Sequence, residues 1–149
     1  MTMKPVNVAS VKEVCRTWQM CQDYVLVEDF GSPEMEFGRI ILLSGIKTNF
    51  PIRYGKVLLV GPGRILYSKR FKRQYQETMT VKPGDLIIYW KLHGTHTRYE
   101  SEDGFVLRVL DERHQIQAII TEPPEGSNSL AEYEEWLRKH SNPHWKMSA

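Results

Sequence analysis

The apolar residues in the middle of the chain come in short, β-branched blocks divided by turn residues, not at helical spacing. Tyr24–Val27, Lys56–Val60, Leu86–Trp90, Phe105–Leu110 and Ile116–Ile120 are therefore the predicted strands. Gly61-Pro62-Gly63 and Lys82-Pro83-Gly84-Asp85 break the chain where an adjacent apolar block ends or begins. Short strands with no helical pattern between them predict a mainly β fold, a small barrel or sandwich, in place of a βαβ arrangement. Helical periodicity belongs to the two ends. Ser10 and Glu13 have capping-box spacing, and Val11, Val14, Cys15, Trp18 and Cys21 fall near one face, which predicts an amphipathic helix over residues 11–20. The small, polar residues before it are expected to be loosely held. After a linker-like stretch, Glu122–Asn128, Ser129 and Glu132 repeat the capping spacing. Leu130, Tyr133, Trp136 and Leu137 then share one side of a helix ending near Lys139, with Arg138 and Lys139 suited to its C-terminal end. For both helices, packing on their own domain is the plain expectation and partner binding the sharper one.

One apolar block fits this scheme poorly. In EMEFGRIILLSG, residues 34–45, four aliphatics from Ile40 to Leu43 stand between two glycines. Pattern alone makes them a buried strand. Yet they lie in a connection of about 25 residues, between the strand pattern ending at Glu28 and the one resuming near Tyr54, and compact domains rarely carry so long a connection without a functional reason. If exposed, the same four residues form a patch that needs a partner to cover it.

With 149 residues and 41% hydrophobic content, the chain can build one domain with a proper core plus terminal extensions. A net charge of +2 with 26% charged residues is ordinary, so no global signal points to nucleic acid or to a membrane. Cys15 and Cys21 have no Cys or His cluster around them and read as reduced thiols. With no cationic leader and no spanning apolar run, the chain is expected to be soluble and cytoplasmic. His93 and His96, with Lys91 and Arg98 nearby, have the spacing of a metal pair, but no further Cys, Asp or Glu stands in a regular spacing to complete a site. Neither a metal nor any other cofactor is expected, and without a nucleophile elbow, zincin, P-loop or dinucleotide motif no enzyme is expected either.

Several motifs in order carry a resemblance. Gly55-Lys56-Val57-Leu58-Leu59-Val60-Gly61-Pro62-Gly63-Arg64 resembles the glycine-flanked strand and turn of the co-chaperonins, the GroES-like 10-kDa chaperonins. Val81-Lys82-Pro83-Gly84-Asp85 followed by Leu86–Tyr89 resembles that family's V-K-x-G-D strand entry, Gly94-Thr95 its G-T turn, and Ile116–Ile120 its closing I-x-A-I strand. Asp23–Val27 is similar to its D-R-V-x-V strand, and Gly38-Arg39-Ile40-Ile41-Leu42 falls on its mobile-loop motif G-G-I-V-L. The resemblance covers residues 23–120. It implies a small GroES-like β-barrel over residues 23–121 with a long mobile loop and a roof hairpin, flanked by helical extensions at 1–22 and 122–149.

The same resemblance implies function. Residues Gly38, Arg39, Ile40, Ile41, Leu42 and Leu43 would form the loop that docks in a groove of a GroEL-like chaperonin, and the chain would assemble as a ring, a heptamer in the family, closing a chamber over unfolded substrate proteins. Aliphatic side chains suit such docking, each worth roughly 1.5–3 kcal/mol when fully buried, and ordering the loop opposes it, so one loop binds weakly and a ring binds through avidity. Arg39 departs from the family's second glycine and Ser44 adds a residue before the closing glycine, so the docking triplet is either Ile40–Leu42 or Ile41–Leu43. Tyr24, Val25 and Val27 would pair with Ile116, Ala118 and Ile119 of a neighbouring subunit. The roof hairpin is longer than usual and mixes Lys69, Arg70, Lys72 and Arg73 with Tyr67, Phe71 and Tyr75. That mixture suits phosphate contact and base stacking, but a solvated tip is the simpler account and nucleic acid is not an expected partner. The extra ends suggest a specialised member, phage- or organelle-type. The alternative function is a structural or nucleic-acid-associated protein reusing the barrel.

Overall fold

In the computed structural model, which describes residues 6–31, 52–90 and 98–141, one strand carries most of the organisation. Strand β2 (Tyr24–Gly31) is buried along nearly its whole length, and its residues point alternately to the two faces of the sheet. Val25 and Val27 enter a core with Val57, Val81, Ile87, Tyr89 and Leu110. Leu26 faces the other way, into a cluster with Val14, Met20 and Leu107. Phe30, on that same second face, joins Leu86, Tyr133 and Leu137.

The elements before β2 are strand β1 (Val6–Val8) and helix α1 (Val11–Thr17). After it come β3 (Ile52–Val60), β4 (Ile65–Ser68), β5 (Arg73–Gln76), β6 (Leu86–Trp90), β7 (Arg98–Ser101), β8 (Val106–Asp111), the single-turn α2 (Glu112–Gln115), β9 (Ile116–Ile120) and α3 (Leu130–His140). Seven strands form one sheet in the order β1-β7-β8-β2-β3-β6-β9, with β4 and β5 as a separate two-stranded ribbon. All neighbours are antiparallel except β1, which runs parallel to β7.

The mainly β architecture is the expected one, but among the described residues the sheet does not close into a barrel, and β1 and β9 are its two edges. A second correction concerns the expected pairing of Tyr24, Val25 and Val27 with a neighbouring subunit. Strand β2 lies in the middle of the sheet, paired with β3 on one side and β8 on the other, so its backbone has no free edge, and Val25 and Val27 are wholly buried. Residues 6–8, expected to be loose, are instead a strand held against Tyr99–Ser101.

The helices sit where their capping signals place them. Ser10 Oγ accepts from the Glu13 N–H at 3.3 Å and Ser129 Oγ from the Glu132 N–H at 3.1 Å. In the second cap, Glu132 reaches back to the Asn128 N–H at 3.1 Å. Helix α1 lays Val14 on the sheet, and Trp18 meets Tyr99 edge-on at 5.3 Å. Helix α3 folds back on its own sheet, burying Tyr133 and Leu137 against Phe30 and Leu86. Two ion pairs fix its approach. Arg138 donates from Nε and Nη2 to the Glu28 carboxylate at 3.0 and 3.2 Å, and Lys56 pairs with Glu134 at 3.0 Å. The Arg138 guanidinium also lies 5.2 Å from the Phe30 ring centroid, a geometry in which cation and ring attract.

Candidate functional site

Strands β2 and β3 end side by side, with Gly31 paired to Tyr54, so the connection of residues 32–51 leaves and re-enters the sheet at neighbouring points. That root is built from buried charge. Asp29, the last inward-facing residue of β2, is fully buried, and it accepts from Arg53 Nε at 3.0 Å and Nη2 at 2.9 Å and from Arg108 Nε at 2.7 Å. Its other role is local: Oδ1 accepts the Gly31 N–H at 2.8 Å. Gly31, the last residue of β2, takes a φ of 83°, a left-handed conformation open to glycine at little cost.

One carboxylate thus ties the outgoing stem (β2), the returning stem (β3) and the flanking strand β8. Burial alone would raise the Asp29 pKa, but the Arg53 and Arg108 guanidinium groups outweigh it and hold the carboxyl below its usual range. Tyr89 stands beside the cluster, and burial first, then the Asp29 charge, push its phenol well above the ordinary value. Arg53 is kept protonated by Asp29 in spite of its burial. The contacts of Asp29 lie within the chain, and they join three strands at one point.

A second surface lies on the β4–β5 ribbon. Its strands pair Leu66 with Tyr75 and Tyr67 with Gln74, and Ser68 Oγ accepts the Phe71 N–H at 3.3 Å in the tip. The ribbon springs from a tight base: a side chain on Gly63, which has a φ of 108°, would bring its Cβ within 1.9 Å of the Glu77 carbonyl oxygen. From there the ribbon projects outward. Tyr67, Phe71 and Tyr75 are exposed, as are Lys69, Arg70, Lys72 and Arg73, and the Arg70 and Arg73 guanidinium groups lie 5.5 and 5.7 Å from the Phe71 ring centroid.

The remaining predicted residues divide. Gly38, Arg39, Ile40, Ile41, Leu42 and Leu43 lie outside the described residues, as do His93 and His96. Ile116, Ala118 and Ile119 are on edge strand β9: Ile116 and Ile119 pack partly against the core, and Ala118 is exposed. Among the described residues no group of His, Cys, Asp or Glu could hold a metal ion, and no helix is long and apolar enough to cross a membrane.

Sequence comparison decides what this framework belongs to. The family model described as chaperonin 10 Kd subunit matches residues 17–119, more than half of the chain. The chain belongs to the 10-kDa chaperonin family. Among curated relatives, a co-chaperonin GroES from Bacillus licheniformis is 35% identical over 89 residues, covering 60% of this chain and 87% of the relative. A co-chaperonin GroES from Bacillus mycoides is 35% identical over 98 residues, with 66% and 93% covered, and one from Solidesulfovibrio magneticus is 32% identical over 96 residues, with 64% and 93% covered. The part shared with the 10-kDa chaperonins contains both stems, the Asp29 cluster and the ribbon. It leaves out β1, nearly all of α1 and the whole of α3, so the elements that brace the second face of the sheet are this chain's additions to the matched region.

Proposed function

We propose that this protein is a co-chaperonin, a non-catalytic ring that caps an ATP-driven, GroEL-like chaperonin and helps enclose a folding substrate. The observation that carries the reading is the family match over residues 17–119, which takes in the glycine-flanked aliphatic run Ile40–Leu43 between the two pinned stems. In this reading Gly38–Leu43 dock in an apolar groove of the chaperonin. The Asp29 cluster supports it by giving the connection a stiff base, so that ordering on docking is confined to the connection itself.

Ring assembly follows from the same reading. Among the described residues the open edges of the seven-stranded sheet are those of β1 and β9, and a head-to-tail contact between two different edges covers both and makes a ring when its rotation closes. A ring also makes weak single-loop docking additive across subunits. The test is to mix the protein with a bacterial chaperonin and nucleotide and follow co-elution. A nucleotide-dependent complex is expected; none at micromolar concentrations contradicts the reading. Sedimentation of the protein alone is expected to give a closed oligomer, and a monomer at those concentrations contradicts the ring.

A further inference from the structure

We propose that the β4–β5 ribbon is a binding surface for single-stranded nucleic acid. Four of the seven large apolar side chains exposed among the described residues, Ile65, Tyr67, Phe71 and Tyr75, belong to this one ribbon. Cross-strand register puts Tyr67 on one face with Gln74 and Tyr75 on the other with Leu66, and residues 69–78 are all exposed, so the Tyr67 face is open and the other is open except at the half-buried Leu66 and Ser68. A solvated tip accounts for charges in such a place; it does not account for a concentration of exposed rings, which soluble chains ordinarily avoid.

Charge narrows the occupant. Lys69, Arg70, Lys72 and Arg73 crowd the tip, and no Asp or Glu occurs from Ile65 to Gln76. The ribbon therefore carries +4 in a chain whose net charge is +2. A second copy of the ribbon would bring like charges together, so the fitting partner is an anion. Rings decide which anion. The Arg70 and Arg73 guanidinium planes already lie close to Phe71, and arginine planes and aromatic faces are the surfaces on which unstacked bases pile while neighbouring cations meet the phosphates. An acidic polypeptide would satisfy the four cations and leave three ring faces without planar partners. A duplex hides its base faces, so the single-stranded form is the better fit.

The test uses the full chain, with no chaperonin present, so its failure leaves the co-chaperonin reading standing. A fluorescent oligothymidylate of about 20 nucleotides is titrated by polarisation, with a duplex of equal length and poly-glutamate as competitors. Binding is expected to weaken with salt, with a log–log slope of about −0.7 for each phosphate contact and so near −3 with all four cations engaged. Tyr67→Ala and Phe71→Ala should each weaken binding about fivefold or more with that slope unchanged. The double variant Arg70→Gln/Lys72→Gln should roughly halve the slope. All these side chains are exposed, so circular dichroism should show the fold intact in each variant. No binding at low salt overturns the proposal. So does displacement by poly-glutamate as effective as by unlabelled oligothymidylate, with aromatic variants that bind as the parent does, because the ribbon is then a site for acidic polypeptides.

Discussion

Replacing Asp29 by alanine is expected to cost about 3–5 kcal/mol of folding stability, the usual penalty for removing one partner of a buried ion pair. The reason is what remains. Arg53 and Arg108 are almost wholly buried in the native chain, and the substitution takes away the carboxylate that pairs with both guanidinium groups in a low-dielectric setting. Gly31 would lose its hydrogen bond as well. Urea denaturation at neutral pH should show the midpoint fall sharply. Replacing the whole cluster, Asp29→Ala with Arg53→Met and Arg108→Met, should recover part of the loss, since removing both partners of a buried pair is far less damaging than removing one. A single variant as stable as the parent would show that the cluster is not what holds the two stems.

The same carboxylate predicts how stability depends on pH. Its folded pKa lies below the unfolded one, about 3.9. The folded state therefore holds fewer protons, and the contribution is fully present above that unfolded value. It is lost as pH falls through the lower, folded pKa. Acid unfolding of the parent should begin below about pH 4, and the Asp29→Asn variant should lack that component. An equal acid dependence in both would remove Asp29 as its source.

Much of the fold is legible in the sequence, and the exceptions have physical causes. Leu86–Trp90 and Ile116–Ile120 are strands with the expected bounds, because both carry apolar, β-branched runs bounded by turn chemistry. Strand β7, Arg98–Ser101, reads RYES and has no such run: it lies next to the edge, and its one buried residue is a serine. Strand β1, with three residues, is specified by its register with β7 and by little of its own. The buried cluster leaves a trace in the sequence, since Arg108 interrupts the block Phe105–Leu110 and Asp29 stands between Glu28 and Phe30 just after the apolar run Tyr24–Val27. A charge inside an apolar block signals a buried partner. Which partner it is depends on pairing across 24 and 79 residues of chain, and that is a property of sheet order, not of local pattern. Sheet order likewise corrects the subunit contact expected at Tyr24–Val27: nothing in a strand's own residues tells whether one or both of its edges are taken.

The second large effect concerns Ile41, which belongs to the docking triplet in either register, Ile40–Leu42 or Ile41–Leu43. With aspartate there, docking would bury an unpaired carboxylate against apolar surface, at a cost that defeats a weak single contact. A ring multiplies that loss over every subunit. Since the proposal places Ile41 at a partner surface and outside the core, the substitution should change folding stability by no more than about 0.5 kcal/mol. A buried strand residue would behave in the opposite way, costing several kcal/mol and leaving any surviving fold able to bind. The direct measurement is the binding of the Ile41→Asp protein to a bacterial chaperonin in the presence of nucleotide, read together with its urea midpoint. The account predicts that co-elution disappears while the midpoint stays with the parent; full binding, or a protein that no longer folds, would contradict it.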